Sequence, residues 1–294
     1  MKIRSSTMIA QGLGWPEGPT KLADGRLAFV ETYRSQISVY NAGGGVTRLH
    51  DVGGGPNACL SGGDGAIYVT QNGGVVGPWR AAVQLPPSIQ KIAPDGRIEI
   101  LLDRAEGHQL VAPNDLAFGP DGWLYFTDPA GPYDPIGRSS PGFICAIKPD
   151  GTGVLLEELE PTYPNGIVVE DDGSIIWVES YTRKIWRRTC ERVEHVFTFD
   201  EPVIPDGLKL DNAGNFYVTG VNSGTVEVVS RAGEHLASLR IGTVPTNCLF
   251  DGSTMYVTDG GKPGTSTDAG FTGALWKVEL EHAEGQTLFT GKIG

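Results

Sequence analysis

Apolar residues along this chain fall in short runs of strand length, broken by Gly, Pro, Asn and Asp, and no long segment keeps a helical spacing. The runs recur in one phrase: a proline, a polar residue or two, a short apolar run, an Asp/Gly turn, then a β-rich run ending in Thr, Glu or Asp. The phrase opens as Pro16-Glu17-Gly18, Pro56-Asn57-Ala58, Pro113-Asn114-Asp115, Pro164-Asn165-Gly166, Pro205-Asp206-Gly207 and Pro245-Thr246-Asn247. Its prolines stand 40, 57, 51, 41 and 40 residues apart. A further β-branched or aromatic run follows in each copy, as in Ile37-Ser38-Val39-Tyr40 and Leu275-Trp276-Lys277-Val278, and hairpin punctuation such as Ala93-Pro94-Asp95-Gly96 often comes next. A period near forty with several strands per unit predicts an all-β, six-bladed β-propeller of four-stranded antiparallel blades around a central channel. No linker interrupts it, so residues 1–294 read as one domain. The segments around Met8-Ile9-Ala10 and Thr287-Leu288-Phe289 are expected to supply outer strands that close the ring.

Composition narrows the partners. A formal charge of −12 and the lack of any Lys/Arg run argue against nucleic acid and against an anionic membrane surface. No run of eighteen apolar residues exists to span a bilayer, and the first residues lack a secretory pattern, so a cytoplasmic setting is the expectation. Cys59, Cys145, Cys190 and Cys248 are widely spaced, without the pairing of a thiolate zinc site.

The residue after each repeat proline falls near one mouth of the channel. Those positions are Glu17, Asn57, Asn114, Asn165, Asp206 and Thr246, every one with a side-chain oxygen and none with a positive charge. Any single triplet also reads as a turn, because Asn and Asp bond their own backbone. Six in register suggest converging acceptors, which a hard divalent cation would satisfy. Ca²⁺ is the first expectation, with Mg²⁺, Mn²⁺ or Zn²⁺ as alternatives. The insertions at 79–88 and 130–142 read as loops over one face, with Trp79 and Tyr133 as pocket walls. Asp115 and Asp128 are secondary candidates, Asp128 equally readable as a strand-end turn acid. Only His108 of the five histidines stands near the mouth, and no Gly-x-Ser-x-Gly elbow is present.

These residues resemble the senescence-marker-protein/gluconolactonase (regucalcin-like) family of propeller lactonases. The resemblance is carried by Trp15-Pro16-Glu17-Gly18-Pro19, by Pro113-Asn114-Asp115-Leu116 with Asp121-Gly122-Trp123-Leu124-Tyr125-Phe126-Thr127-Asp128-Pro129, and by Pro164-Asn165-Gly166 and Pro205-Asp206-Gly207. It implies Glu17, Asn114, Asn165 and Asp206 as metal ligands and Asp206 as general base or nucleophile. It further implies a substrate pocket, to which Asn57, Asn114, Asp128, Tyr133 and His108 are assigned. Two departures stand out: Val111, Ala112 and Pro113 replace a family Arg, and Gln71-Asn72 replaces an acidic-His pair. Both remove grips for a polyol and suggest a less hydroxylated substrate. The expected activity is metal-dependent opening of a small lactone by a monomer or small homo-oligomer. The alternatives are a phosphotriesterase on the same scaffold, or a non-catalytic propeller with a structural metal.

Overall fold

The second strand is buried along its whole length in the first five repeats, as in Leu27–Glu31, Ile67–Gln71, Ile175–Glu179 and Phe216–Gly220. Continuous apolar runs of this kind arise where a sheet is covered on both faces. Here neighbouring blades provide the cover. The outermost strands, such as Gly45–Asp51 and His235–Arg240, are largely exposed and polar. A computed structural model describes residues 2–76, 79–262 and 270–294. Its described residues form six four-stranded antiparallel sheets, one per repeat. Their inner strands are Pro16–Lys21, Pro56–Ser61, Leu116–Phe118, Pro164–Val169, Pro205–Leu210 and Pro245–Asp251. Each packs against its neighbours in order and the last meets the first, which makes the molecule a six-bladed propeller. Among the described residues no helix is long and apolar enough to cross a membrane.

The core lies between blades. Six apolar clusters each span one interface, for instance Ala58, Tyr68 and Ile89 of blade 2 against Leu116, Phe126 and Cys145 of blade 3. Phe126 is fully buried there. Phe126→Ala should cost about 3–5 kcal/mol, seen as a lower urea midpoint with unchanged slope.

Lys2–Leu13 closes the ring as the outer strand of the blade that holds Pro245–Asp251, as expected. The tail at 287–289 does not. It forms no strand and lies with Gln286 over the far end of the channel, where Phe289 packs on the blade 2–3 cluster. Its apolar residues cover the channel rather than pair with a sheet. The stretches 80–87 and 130–141 carry no strand, as predicted, and an unforeseen two-stranded ribbon joins Arg104–Ala105 to His108–Gln109.

A circle of hydroxyl bonds ties the inner strands together. Thr32 donates to the carbonyl of Pro56, Thr70 to that of Asn114, and Thr127 to that of Asn165. Ser180 then donates to Pro205, Thr219 to Thr246, and Thr246 to Pro16, which completes the turn at distances of 2.5–2.8 Å. The Thr that ends many of the β-rich runs is the sequence trace of this circle.

Candidate metal centre and active site

In five blades the polar residue after the proline sits at or beside an irregularity of the inner strand, and in blade 3 Asn114 and Asp115 come just before the strand and both bond Thr127. Register shifts fall between Pro56 and Ala58, Pro164 and Ile167, Pro205 and Leu208, and Pro245 and Asn247, with a related shift just after Glu17. A bulge leaves a residue outside the ladder and re-aims its side chain. In those five blades the triplets are therefore bulged strand starts rather than turns. The third position is often glycine because the strands touch there. A Cβ on Gly18 would lie 2.2 Å from the Ala58 Cα, and one on Gly166 would lie 2.5 Å from the Asp206 carbonyl oxygen.

Glu17, Asn114 and Asn165 are buried, whereas Asn57 and Asp206 are half-buried. Asn57 donates to the Asn114 carbonyl at 3.2 Å. Asn165 donates to Ser180 Oγ at 3.1 Å and lies within hydrogen-bond reach of the Asp206 carboxylate. The Asn114 side-chain amide has no hydrogen-bond partner among the described residues. Thr246 departs from the ring: its hydroxyl turns away to Pro16 and Thr258. In that blade Asn247, one residue on, enters the channel and donates to Glu17 Oε2 at 3.1 Å and to Asp115 Oδ2 at 3.4 Å.

Three carboxylates thus share one buried volume. Burial first, then Asp206 and Asp115, push Glu17 well above the usual carboxylate range. Burial and the Asp115 charge push Asp206 up to about 8, against the pull of Asn165. The six positions after the prolines carry no cation, but the channel beneath them holds one. Lys209 is buried one layer beneath the ring, 3.4 Å from Asn247 Oδ1 and 3.8 Å from Asp115 Oδ2. It does not reach between Glu17, Asn165 and Asp206 in the contacts it makes. Three carboxylates against one ammonium leave a deficit that a divalent cation would neutralise. Among the described residues no three His, Cys, Asp or Glu side chains are grouped to hold an ion by themselves. A fitting donor set therefore mixes carboxylate with Asn amide oxygen, which suits a hard cation. The residues present fit such an ion.

Asp115, Asn247 and Lys209 are additions to the ring read from the sequence. Lys209 was the available signal, a charge between Leu208 and Leu210 in an inner strand. Lys209→Met would strand the Asp115 charge. A loss of about 3–5 kcal/mol is expected, with much of it recovered in the Lys209→Met/Asp115→Asn double variant. Thermal unfolding of wild type, Lys209→Met, Asp115→Asn and the double variant checks this.

Asp128 takes another part. Its fully buried carboxylate accepts from the backbone of Val111, Ala112 and Ala130 at 2.8–2.9 Å and meets His108 Nε2 at 2.9 Å. Those contacts use its acceptor sites. Asp259 does the same in blade 6, binding the backbone of Thr243, Val244 and Gly261. Gln71 ties Gly55 and Gly73 in blade 2. These side chains pin the entry loops, and no free acceptor is left on Asp128 for the substrate-binding role expected of it. His108, stacked on Phe143 with centroids 3.7 Å apart, is held by the same tie. Tyr133 stands at the rim, 40 % exposed, against Tyr163 and Tyr181.

Six blades around an axial cluster of carboxylate and amide oxygens define a propeller with a central acidic site. The family model for the SMP-30/gluconolactonase/LRE-like region matches residues 15–260, and the chain belongs to that family. It is 25 % identical to a gluconolactonase of Zymomonas mobilis, over 85 % of this chain and 77 % of that one. A solved gluconolactonase of Xanthomonas campestris superposes with a TM-score of 0.74 at 20 % identity, covering 94 % of this chain and 89 % of the other. A calcium-binding regucalcin of Agrobacterium tumefaciens gives 0.73 at 17 %, covering 96 % and 94 %. At these identities the two structures confirm the fold.

Proposed function

We propose that this chain is a divalent-metal-dependent hydrolase that opens a small lactone, with Glu17, Asn114, Asn165 and Asp206 holding the ion. The observation that carries the reading is the cluster of three carboxylates at the ring with only Lys209 to offset them. Membership of a family that contains a curated gluconolactonase supplies the substrate class. A hard dication bound there would polarise the lactone carbonyl and offset the negative charge that builds on its oxygen.

The chain's own residues do the rest. Asp206 is the one ring carboxylate half-open to the mouth, and in the ionised form it takes a proton from the attacking water. The hydroxyl adds to the carbonyl carbon, the ring C–O bond breaks, and the proton passes to the departing alkoxide. A hydroxy acid leaves. The buried Asn114 amide, without a partner among the described residues, is placed to orient the reacting group. Asn57 and Asn165 keep the ring in place through their bonds to the Asn114 carbonyl and Ser180. Residues 286–289 line the channel at its far end.

The test is a lactone panel with proton release as readout, run on protein loaded with Ca²⁺, Mg²⁺, Mn²⁺ or Zn²⁺, with a phosphotriester alongside. Turnover that is lost with chelator and restored by metal supports the reading. A protein that binds metal and hydrolyses no lactone overturns it. Turnover in H₂¹⁸O separates the roles of Asp206: label found in the Asp206 carboxylate would make it a nucleophile.

A further inference from the structure

Two bulky residues adopt left-handed backbone at matching places. Trp15 and Tyr163 both have φ 57° and both immediately precede an inner-strand proline, one in blade 1 and one in blade 4. Positive φ is unfavourable for large side chains, and a following proline disfavours compact backbone further. The surroundings enforce it identically in both blades. Thr32 and Tyr33 donate to the carbonyls of Trp15 and Gly14, while Ser180 and Tyr181 donate to those of Tyr163 and Thr162. Non-glycine strain of this type concentrates at functional sites.

In a ring of six, blades 1 and 4 stand opposite each other. Trp15 is two residues before Glu17, and Tyr163 two before Asn165, so each aromatic stands at the entrance of an inner strand that carries a ring residue. Each also seeds a wall. Trp15 stacks on Tyr33 with centroids 5.5 Å apart, and Tyr33 stacks on Trp79 at 5.2 Å. Across the mouth, Tyr163 meets Tyr181 at 5.1 Å and Tyr133 at 5.2 Å. The polar side chains that could have gripped a polyol are occupied: Gln71 and Asn72 bind loop backbone, and His108 binds Asp128.

We propose that the mouth is a slot between two opposed aromatic walls, and that the lactone opened here carries a flat apolar group instead of the hydroxyls of a sugar lactone. This rests on the hydrolase reading for its chemistry but not for its recognition. The metal-loaded enzyme is assayed on γ-phenyl-γ-butyrolactone, γ-methyl-γ-butyrolactone and an aldonolactone, whose first two members share a secondary alkoxide leaving group. The phenyl compound should exceed the methyl compound in kcat/KM by at least about tenfold. Binding of the unreactive isosteres 5-phenyl- and 5-methyl-2-pyrrolidinone is measured by calorimetry with the same preference expected.

In Trp15→Gly the indole is lost and the backbone strain relieved, so the phenyl-to-methyl ratio should collapse towards one in both assays. The rim variant Tyr133→Ala, exposed and tolerant, should reduce the ratio severalfold and covers the case in which Trp15→Gly misfolds. Lactones hydrolysed with the aldonolactone preferred, or with no phenyl preference, overturn the slot and leave the hydrolase standing. Phenyl-selective lactam binding without turnover of any lactone upholds the slot and overturns the hydrolase.

Discussion

Asp206→Asn will lower lactone kcat/KM by about 10²–10⁴-fold, with the propeller intact. The amide keeps the shape and one oxygen donor but has no basic site to take a proton. Burial and the neighbouring Asp115 make the ionised carboxylate costly in the metal-free protein. Removing that charge should therefore make the metal-free variant melt higher than metal-free wild type at pH 8. Loss of activity coupled to a gain of metal-free stability is a paired signature that general damage would not produce. Steady-state kinetics with calorimetry in chelator checks both halves. A variant with near wild-type turnover would remove Asp206 from the mechanism.

In chelator, stability is expected to fall as pH rises from about 4 to about 8. The sign follows from proton binding. Asp206 ionises near 4 in an unfolded chain but holds its proton to about 8 when folded. The folded state therefore binds more protons across that window, and raising pH favours unfolding. Glu17, raised by burial and by Asp206 and Asp115, acts in the same direction. Below the window both states are protonated and the penalty disappears. A bound dication favours the ionised forms, so the rise in melting temperature on adding Ca²⁺ should grow from pH 5 to pH 8, with protons released on binding. Equal increments at both pH values would show that these carboxylates do not meet the ion.

The repeat was readable because each blade opens on a proline and a short apolar inner strand, bulged near its start in five of the six, and those demands recur around the ring. Glu17, Asn57, Asn114, Asn165 and Asp206 followed from the same phase. Thr246 did not, because the bulge between Pro245 and Asn247 presents the next residue instead. Lys209 and Asn247 escaped because attention to one position per repeat overlooks the layer beneath. The part played by Asp128 was hidden for a related reason. A strand-end acid looks the same in sequence whether it faces a ligand or ties a loop, and only the backbone donors around Asp128 and Asp259 tell the two apart. The aromatic walls were half-visible as Trp79 and Tyr133. Their opposition depends on the pairing of blades 1 and 4, which the order of residues does not announce.

The hydroxyl circle has a consequence for how such a molecule can change. Each donor's height along the axis is referenced to the adjoining blade, and the chain of references returns to its starting point when Thr246 meets Pro16. Drift in one blade is opposed by its neighbours on either side. The rim loops hang outside that circuit, fastened to strand ends and to neighbouring rim side chains, as Asp134 is to Tyr181 of the next blade. Recognition at the rim can therefore be rewritten by exchanging loops, while the oxygen cage below keeps its dimensions.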